Sequence, residues 1–192
     1  MSEILTPRLT LRPWRAADLA PFAQLNADPE VMRYLPRPLT REESDAFAAA
    51  CQAQIAGRGW DRWAVARRDS GVFVGAVGLS RATFAAAFTP CIEVAWRLSR
   101  EQWGHGFATE AAAAALGFGF TRLGLAEVLA FTVPANRASR AVMERLGMRH
   151  HAAEDFEHPR MPPGHALRAH VLYRLTCADW DAQRAHAAIS GA

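Results

Sequence analysis

The residues best suited to chemistry are two glycines between a strand pattern and a helix pattern. Apolar residues alternate with other types from Cys91 to Leu98, as in a β-strand, and the alternation stops at Ser99. Gly104 and Gly106 follow, and because they lack a Cβ they let a ligand approach the backbone closely. The helix pattern that comes next has free N–H groups in its first turn. The stretch predicts a cradle for an anion such as a phosphate or pyrophosphate.

Two familiar phosphate loops do not fit this turn. The dinucleotide fingerprint requires a third glycine where Thr109 stands, and an acidic residue about 20 positions later. The loop of nucleoside triphosphatases requires a lysine, whereas all 22 Lys and Arg residues of this chain are arginine. An ordinary tight connection between a strand and a helix remains the alternative to an anion site.

A second motif follows a strand pattern at residues 127–133. Asn136 is placed to cap a short helix with an apolar stripe, and Gly147 suits the end of that helix. The first motif reads Gln-Trp-Gly-His-Gly-Phe-Ala-Thr-Glu-Ala from Gln102, and the second reads Asn-x-x-Ser-x-x-Val-Met-Glu-x-Leu-Gly-Met from Asn136.

The two motifs in this order resemble the GNAT superfamily of acetyl-CoA-dependent N-acetyltransferases. The resemblance spans roughly residues 5–176 and is closest to the branch of bacterial ribosomal-protein N-terminal acetyltransferases. One departure is Trp103, because the superfamily often carries Gln or Arg at that position, although Trp is frequent in this branch.

The resemblance implies an acyltransferase that moves an acetyl group from acetyl-CoA to a primary amine, by direct attack in a ternary complex. The acceptor would be a protein N-terminus or a small amine. The alternative is a module that binds or senses acyl-CoA without catalysis. In the family, the end of the fourth strand runs along the pantetheine arm and the glycine turn holds the pyrophosphate. The resemblance therefore implies these cofactor-binding residues: Trp96, Arg97, Leu98, Gly104, His105, Gly106, Phe107, Ala108, Thr109 and Asn136.

Two side chains are candidates for moving protons. Glu93 would take the proton of an ammonium substrate through water, and a structural salt bridge to a neighbouring arginine is the alternative of equal weight. Ser139 matches the family residue proposed to protonate the departing thiolate, with a bystander role in the helix as its alternative. Asn136 has two compatible roles, as a cofactor contact and as a helix cap.

The segment from Glu154 to Gly164 predicts a proline-stiffened acidic loop. Asp155 and Glu157 would attract a cationic amine and so bind the substrate, while a merely solvated loop is the alternative. Four histidines from His150 to His165 lack the spacing of metal ligands, so no metal site is predicted.

Length and composition limit the number of domains, the location and the partners that the sequence predicts. With 192 residues and 51% hydrophobic content, a single N-acetyltransferase domain is expected, with a core at about 5–176 and a helical tail at 177–192. The absence of a signal peptide, the short apolar runs and three scattered cysteines predict a cytoplasmic protein without a membrane partner. A net charge of +3 without a basic block predicts no nucleic-acid partner, and a homodimer is left open.

The order of the patterns predicts a mixed α/β (α+β) fold. A mixed, mostly antiparallel sheet of six to seven strands should be flanked by helices. Asp69-Ser70-Gly71 predicts a hairpin, and helix 106–123 predicts a parallel crossover into strand 127–133. Thr40-Arg41-Glu42-Glu43 predicts a capped helix, and Asp28-Pro29 predicts a short helix through Tyr34. Residues 171–175 are expected to pair near Arg149.

Overall fold

A computed structural model describes residues 3–190 of the protein, with side chains up to residue 186. The helices are α1 (Ala16–Ala27), α2 (Arg41–Arg58), α3 (Phe107–Arg122), α4 (Arg137–Arg145) and α5 (Cys177–Ser190). The strands are β1 (Ile4–Leu5), β2 (Leu9–Arg12), β3 (Arg62–Arg67), β4 (Phe73–Ala82), β5 (Cys91–Leu98), β6 (Glu127–Thr132), β7 (Arg149–His150), β8 (Phe156–Glu157) and β9 (Ala169–Thr176).

The strands follow the order β1-β2-β3-β4-β5-β6-β9-β7, and β8 pairs with β9. The resolved strand pairs are antiparallel except for β5 with β6, which is parallel, as predicted for a crossover through a helix. This confirms the mixed, mostly antiparallel α/β fold. Within residues 3–190 the sheet has nine strands rather than six to seven, and three of them, β1, β7 and β8, contain two residues each. Strands that short carry no readable period-2 pattern.

The chain forms two compact units. The first contains residues 3–80 and 94–115, and the second contains residues 81–93 and 116–190, so that β5 and α3 run from one into the other. The expectation of one N-acetyltransferase domain over the whole chain stays a prediction.

In the first unit, different helices cover the two faces of the sheet. Phe73 pairs with Ala66 across the β3–β4 ladder and packs its ring on Phe22 of α1. Arg67 is the next residue along β3, so its side chain points to the opposite face, where its guanidinium lies over the Phe107 ring of α3. Helices α1 and α2 thus lie on one face, and the start of α3 lies on the other.

In the second unit, β6 is paired along its whole length with β9. The predicted pairing of residues 171–175 near Arg149 is confirmed, because Arg149 lies opposite Arg174. Helix α4 ends as predicted at Gly147, which has a φ of +72°. The Met148 N–H then donates to the Met143 carbonyl, which closes the helix end.

Of the other local predictions, two are confirmed and one is wrong. Thr40 and Glu43 form the predicted capping box of α2, and Gly71 closes the predicted hairpin between β3 and β4. The predicted helix from Asp28 to Tyr34 is wrong, because residues 29–37 form turns and bends. The Asp28 side chain accepts from the Glu30 N–H at 2.8 Å, a local bond that competes with helix formation.

Candidate functional site

Strand β5 reaches the glycine turn through a 3-10 turn at Arg100–Gln102. The indole N–H of Trp103 donates to the Leu98 carbonyl at 3.0 Å, which ties the turn back to the strand. Gly104 and Gly106 both have a φ of +77°, a conformation that residues with a Cβ rarely adopt. Both glycines are therefore required by the path of the backbone.

Helix α3 begins directly after this turn and presents backbone donors. The Glu110 N–H donates to the Gly106 carbonyl at 3.0 Å. For the N–H groups of residues 104–109, residues 3–190 provide no hydrogen-bond acceptor. Free N–H groups at the positive end of a helix favour an anion. The turn, defined as Gly104 to Thr109 and called the cradle below, can therefore hold a phosphate or pyrophosphate.

An ion pair from the N-terminal segment fixes the cradle. The Arg8 side chain contacts the Glu110 carboxylate at 2.6 Å and donates to the His105 carbonyl at 2.9 Å. Burial raises the pKa of Glu110, but hydrogen bonds from Thr6 and Arg8 outweigh it and leave the pKa below its ordinary value. No local pattern could predict this contact, since 102 positions separate the two charged residues.

The end of β5 lies tightly against β4. A Cβ at Gly75 would come within 2.2 Å of the Arg97 carbonyl, so that only glycine allows this approach. The Ser99 N–H donates to the Val74 carbonyl at 3.0 Å just beyond the strand. The backbone of Trp96–Leu98, which the family resemblance assigns to the pantetheine arm, is therefore held in one position.

In the second unit, Asn136 and Ser139 meet at the start of α4. The Asn136 carbonyl oxygen Oδ1 accepts from the Ser139 N–H at 3.2 Å, and its Nδ2 donates to the Thr132 hydroxyl at 3.0 Å. This confirms the helix-cap role of Asn136. A role in binding the cofactor, and the role of the half-buried Ser139 as a proton donor, stay predictions.

Glu93 is half-buried in β5 and lies opposite Leu129 in the parallel pairing with β6. The pKa of the neighbouring Cys91 thiol rises to about 11, first through burial and then through the negative charges of Glu93 and Glu127. The Glu93 carboxylate thus acts electrostatically on its surroundings in the second unit. Its service as a base in the reaction stays a prediction.

Comparison with known proteins identifies the family. The model of the acetyltransferase (GNAT) domain matches residues 8–149. The chain belongs to the GNAT family. An Aspergillus fumigatus protein named FsC-acetyl coenzyme A-N(2)-transacetylase is 32% identical over 185 residues, which cover 91% of this GNAT chain and 76% of the relative.

Solved structures agree with this assignment. The crystal structure of an acetyltransferase from Agrobacterium tumefaciens matches with a TM-score of 0.72 at 25% identity, covering 91% of this chain and 94% of that one. RimL, a ribosomal L7/L12 α-N-protein acetyltransferase solved with coenzyme A, shares the fold with a TM-score of 0.73 at 16% identity, covering 94% and 100%. The GNAT chain is an acyltransferase.

The predicted acidic loop of the GNAT enzyme is internally paired. The Asp155 carboxylate contacts His150 Nε2 at 2.8 Å, and Glu157 contacts Arg168 at 2.8 Å. Each carboxylate therefore already has a basic partner inside the second unit. A role for Asp155 and Glu157 in amine binding stays a prediction.

The two units divide the predicted site residues of the GNAT enzyme. The first unit contains Trp96–Leu98 and the cradle, and the second contains Glu93, Asn136, Ser139 and the acidic loop. Over the described part of the chain, no group of three or more His, Cys, Asp or Glu side chains could hold a metal ion. The helices of residues 3–190 include none that is long and apolar enough to span a membrane.

Proposed function

We propose that this GNAT enzyme transfers the acetyl group of acetyl-CoA to a primary amine by direct attack in a ternary complex. The observation that carries the proposal is the row of N–H groups at residues 104–109, which have no acceptor among the described residues. They lie directly after β5 in a chain of the GNAT family, and the RimL structure with the same fold was solved with coenzyme A. The pyrophosphate of acetyl-CoA is an anion of the kind these donors favour.

The chain's own residues then have distinct roles in this reaction. The backbone of Trp96–Leu98 orients the pantetheine arm, and Asn136 adds an amide contact to the cofactor. Glu93 accepts the proton of the ammonium substrate through water, so that a free amine attacks the thioester carbonyl. Ser139 donates a proton to the thiolate of CoA as it leaves.

The acceptor is a protein N-terminus or a small amine. The name of the Aspergillus fumigatus relative specifies transfer to a nitrogen, N(2), which supports an amine as acceptor. The acidic loop with Asp155 and Glu157 would border the amine. A cytoplasmic location belongs to the same proposal and stays a prediction, and a homodimer is left open.

The first prediction tests acetyl-CoA binding by the cradle. At a ligand concentration about 100-fold above the dissociation constant, acetyl-CoA should stabilise the fold by about 2.7 kcal/mol. Gly106→Val should abolish this gain, because the added side chain blocks the approach of the phosphates to the backbone. The measurement is the melting temperature with and without acetyl-CoA.

Gly71→Val is the matched control. Gly71 has a φ of +72°, close to the +77° of Gly106, but it lies in the hairpin after β3. Both variants should lose intrinsic stability through backbone strain, while only Gly106→Val loses the shift caused by acetyl-CoA. An equal shift in both variants would remove the cradle from the proposal.

Release of CoA thiol with a panel of amines and peptides separates the enzyme from a binding module. An acyltransferase releases thiol in proportion to an accepted amine and forms the acetylated amine. Stabilisation by acetyl-CoA without thiol release from any acceptor would favour the alternative, an acyl-CoA-binding or sensing module.

A further inference from the structure

Arg97 holds its side chain on the face of the first unit that α1 and α2 cover. The guanidinium Nη1 donates to Asn26 Oδ1 of α1 at 2.5 Å, and the guanidinium carbon lies 5.4 Å from the centre of the Phe47 ring of α2. Only a part of the residue reaches solvent. The backbone of Arg97 belongs to the predicted cofactor-binding stretch, whereas its side chain has other neighbours.

Burial and hydrogen bonds hold Asn26, the partner of Arg97, in place. Asn26 is fully buried, and its Nδ2 donates to the Ser44 hydroxyl at 2.8 Å. The Leu39 N–H donates to the Asn26 backbone carbonyl at 2.9 Å. The bond to Ser44 turns the amide oxygen of Asn26 toward Arg97, so the guanidinium donates to a neutral group that leaves its charge in place.

The charge of Arg97 has no carboxylate partner among residues 3–190. Burial and the nearby positive charge of Arg62 lower the pKa of Arg97 to about 10, so the guanidinium stays protonated at neutral pH. On the same face, the buried Arg12 is neutralised by a carboxylate, because it pairs with Asp18 through two hydrogen bonds of 2.6 and 2.9 Å. A desolvated cation without such a pair is costly unless an anion joins it.

A phosphate bound in the cradle would lie away from the Arg97 guanidinium. The cradle starts α3, whose Phe107 contacts Arg67 on the opposite face of the same sheet. Arg97 instead contacts α1 and α2. The pantetheine arm beside Trp96–Leu98 carries no charge. The other molecule in the proposed reaction is the acceptor, and the commonest organic anion that a guanidinium binds is a carboxylate.

We propose that the Arg97 guanidinium binds a carboxylate of the acceptor, so that the substrates are amines that also carry a carboxylate group, such as amino acids or short peptides with a free C-terminus. The inference rests on the proposed acetyl transfer and specifies its substrate class. Asn26 and Ser44 hold the planar guanidinium in one orientation, which leaves N–H groups of its fork for two parallel bonds to the carboxylate.

The test compares acceptors that differ only in the carboxylate. Three pairs serve as probes: alanine with alaninamide, β-alanine with its amide, and a dipeptide with its amide. Wild-type kcat/KM should favour the carboxylate member of at least one pair by about 10- to 100-fold at equal free-amine concentration, the range of charged hydrogen bonds. The preferred pair distinguishes an amino acid from a peptide acceptor.

Variants assign that preference to Arg97. Arg97→Gln should bring the ratio of kcat/KM within each pair close to one, and any change in cofactor binding cancels in this ratio because both members of a pair are measured with the same variant. Arg97→Lys should keep an intermediate ratio, because lysine retains the charge without the planar fork. Arg41→Gln removes an exposed charge from α2, where Arg41 pairs with Asp45, and should leave the ratio as in the wild type.

Inhibition of the wild type gives an answer that does not depend on the folding of a variant. Propionate should compete with the acceptor and not with acetyl-CoA, while propionamide should inhibit at least tenfold more weakly, in the range of charged hydrogen bonds. Equal use of acids and amides, or a ratio unchanged in Arg97→Gln, overturns the inference and leaves the proposed acetyl transfer standing. Absence of transfer to every acceptor overturns both.

Discussion

At the scale of single residues, Glu93 offers two roles that one substitution separates. An alkyl amine with a pKa of about 10.4 is almost entirely protonated at pH 7, so a base must take its proton before attack. If Glu93 is that base, Glu93→Gln should keep acetyl-CoA binding and lower kcat/KM at neutral pH. Raising the pH should then recover part of the loss, because free amine accumulates.

The measurement is kcat/KM against pH for both proteins, beside their melting temperatures. A structural ion pair predicts a large loss of melting temperature and pH profiles that run parallel, and that pattern would end the assignment of Glu93 as base.

Ser139→Ala, measured alongside, should lower kcat by about 10²-fold without weakening acetyl-CoA binding, since its hydroxyl acts only as the thiolate leaves.

The residues that the sequence predicts well are those fixed by local backbone chemistry. Gly104 and Gly106 adopt positive φ values, and Asn136 caps α4. The sequence predicts these roles because each depends on neighbours within a few positions. The contact of Arg8 with Glu110 and that of Arg97 with Asn26 join residues 102 and 71 positions apart. No periodicity or cap signal encodes such pairs, so only the folded chain shows them.

At the scale of elements, an aromatic cluster in the second unit combines rings with two histidines. Its members are half-buried and lie on β6, β8, β9 and the adjoining loops: Phe84, Phe88, Phe131, Phe156, His158 and His170. Burial lowers the pKa of both histidines below the ordinary value of 6.5, and for His158 the charges of His170 and Arg160 lower it further.

This cluster predicts a loss of stability in mild acid. Well above pH 6.5 both histidines are neutral in the folded and the unfolded chain, so they contribute no pH dependence there. As the pH falls below 6.5, the unfolded chain binds protons first, and the free energy of unfolding decreases until the pH passes the lowered pKa values of the folded state. The melting temperature measured from pH 8 to pH 5 should show this decrease.

Replacing both histidines by phenylalanine should flatten the decrease while keeping the ring contacts. His151→Phe is the control, because His151 is exposed in the same unit and should leave the pH dependence as it is in the wild type. A double variant whose melting temperature falls with acid as steeply as the wild type would assign the effect to other groups.

Elements also show where pattern reasoning fails. Thr40 and Glu43 make a capping box that decides the start of α2 locally. Asp28 and Pro29 carry similar start signals, but the side chain of Asp28 accepts from the Glu30 N–H, and this local bond competes with a helix. The substrate role of the acidic loop is predicted from charge, and the fold pairs Asp155 with His150, 5 positions away, and Glu157 with Arg168, 11 positions away.

At the scale of the whole molecule, composition and burial together limit the chemistry of acyl transfer. The chain contains no lysine, since all 22 of its Lys and Arg residues are arginine. Its thiols are poor nucleophiles at neutral pH: burial, with the charge of Asp61, raises the pKa of Cys51 to about 12, and the pKa of Cys91 is raised to about 11. Burial also raises the pKa of Cys177.

These properties predict that the acetyl group passes directly from acetyl-CoA to the amine. An acyl carrier in a two-step route would need a reactive thiolate or a lysine amine, and the first requires a pKa near or below neutrality. Initial rates measured at several concentrations of both substrates should therefore give intersecting double-reciprocal lines. Mass spectrometry of the protein incubated with acetyl-CoA alone should find no acetylated cysteine. Parallel lines together with an acetyl group on Cys51, Cys91 or Cys177 would establish a covalent intermediate. The raised pKa values of the three thiols disfavour that outcome.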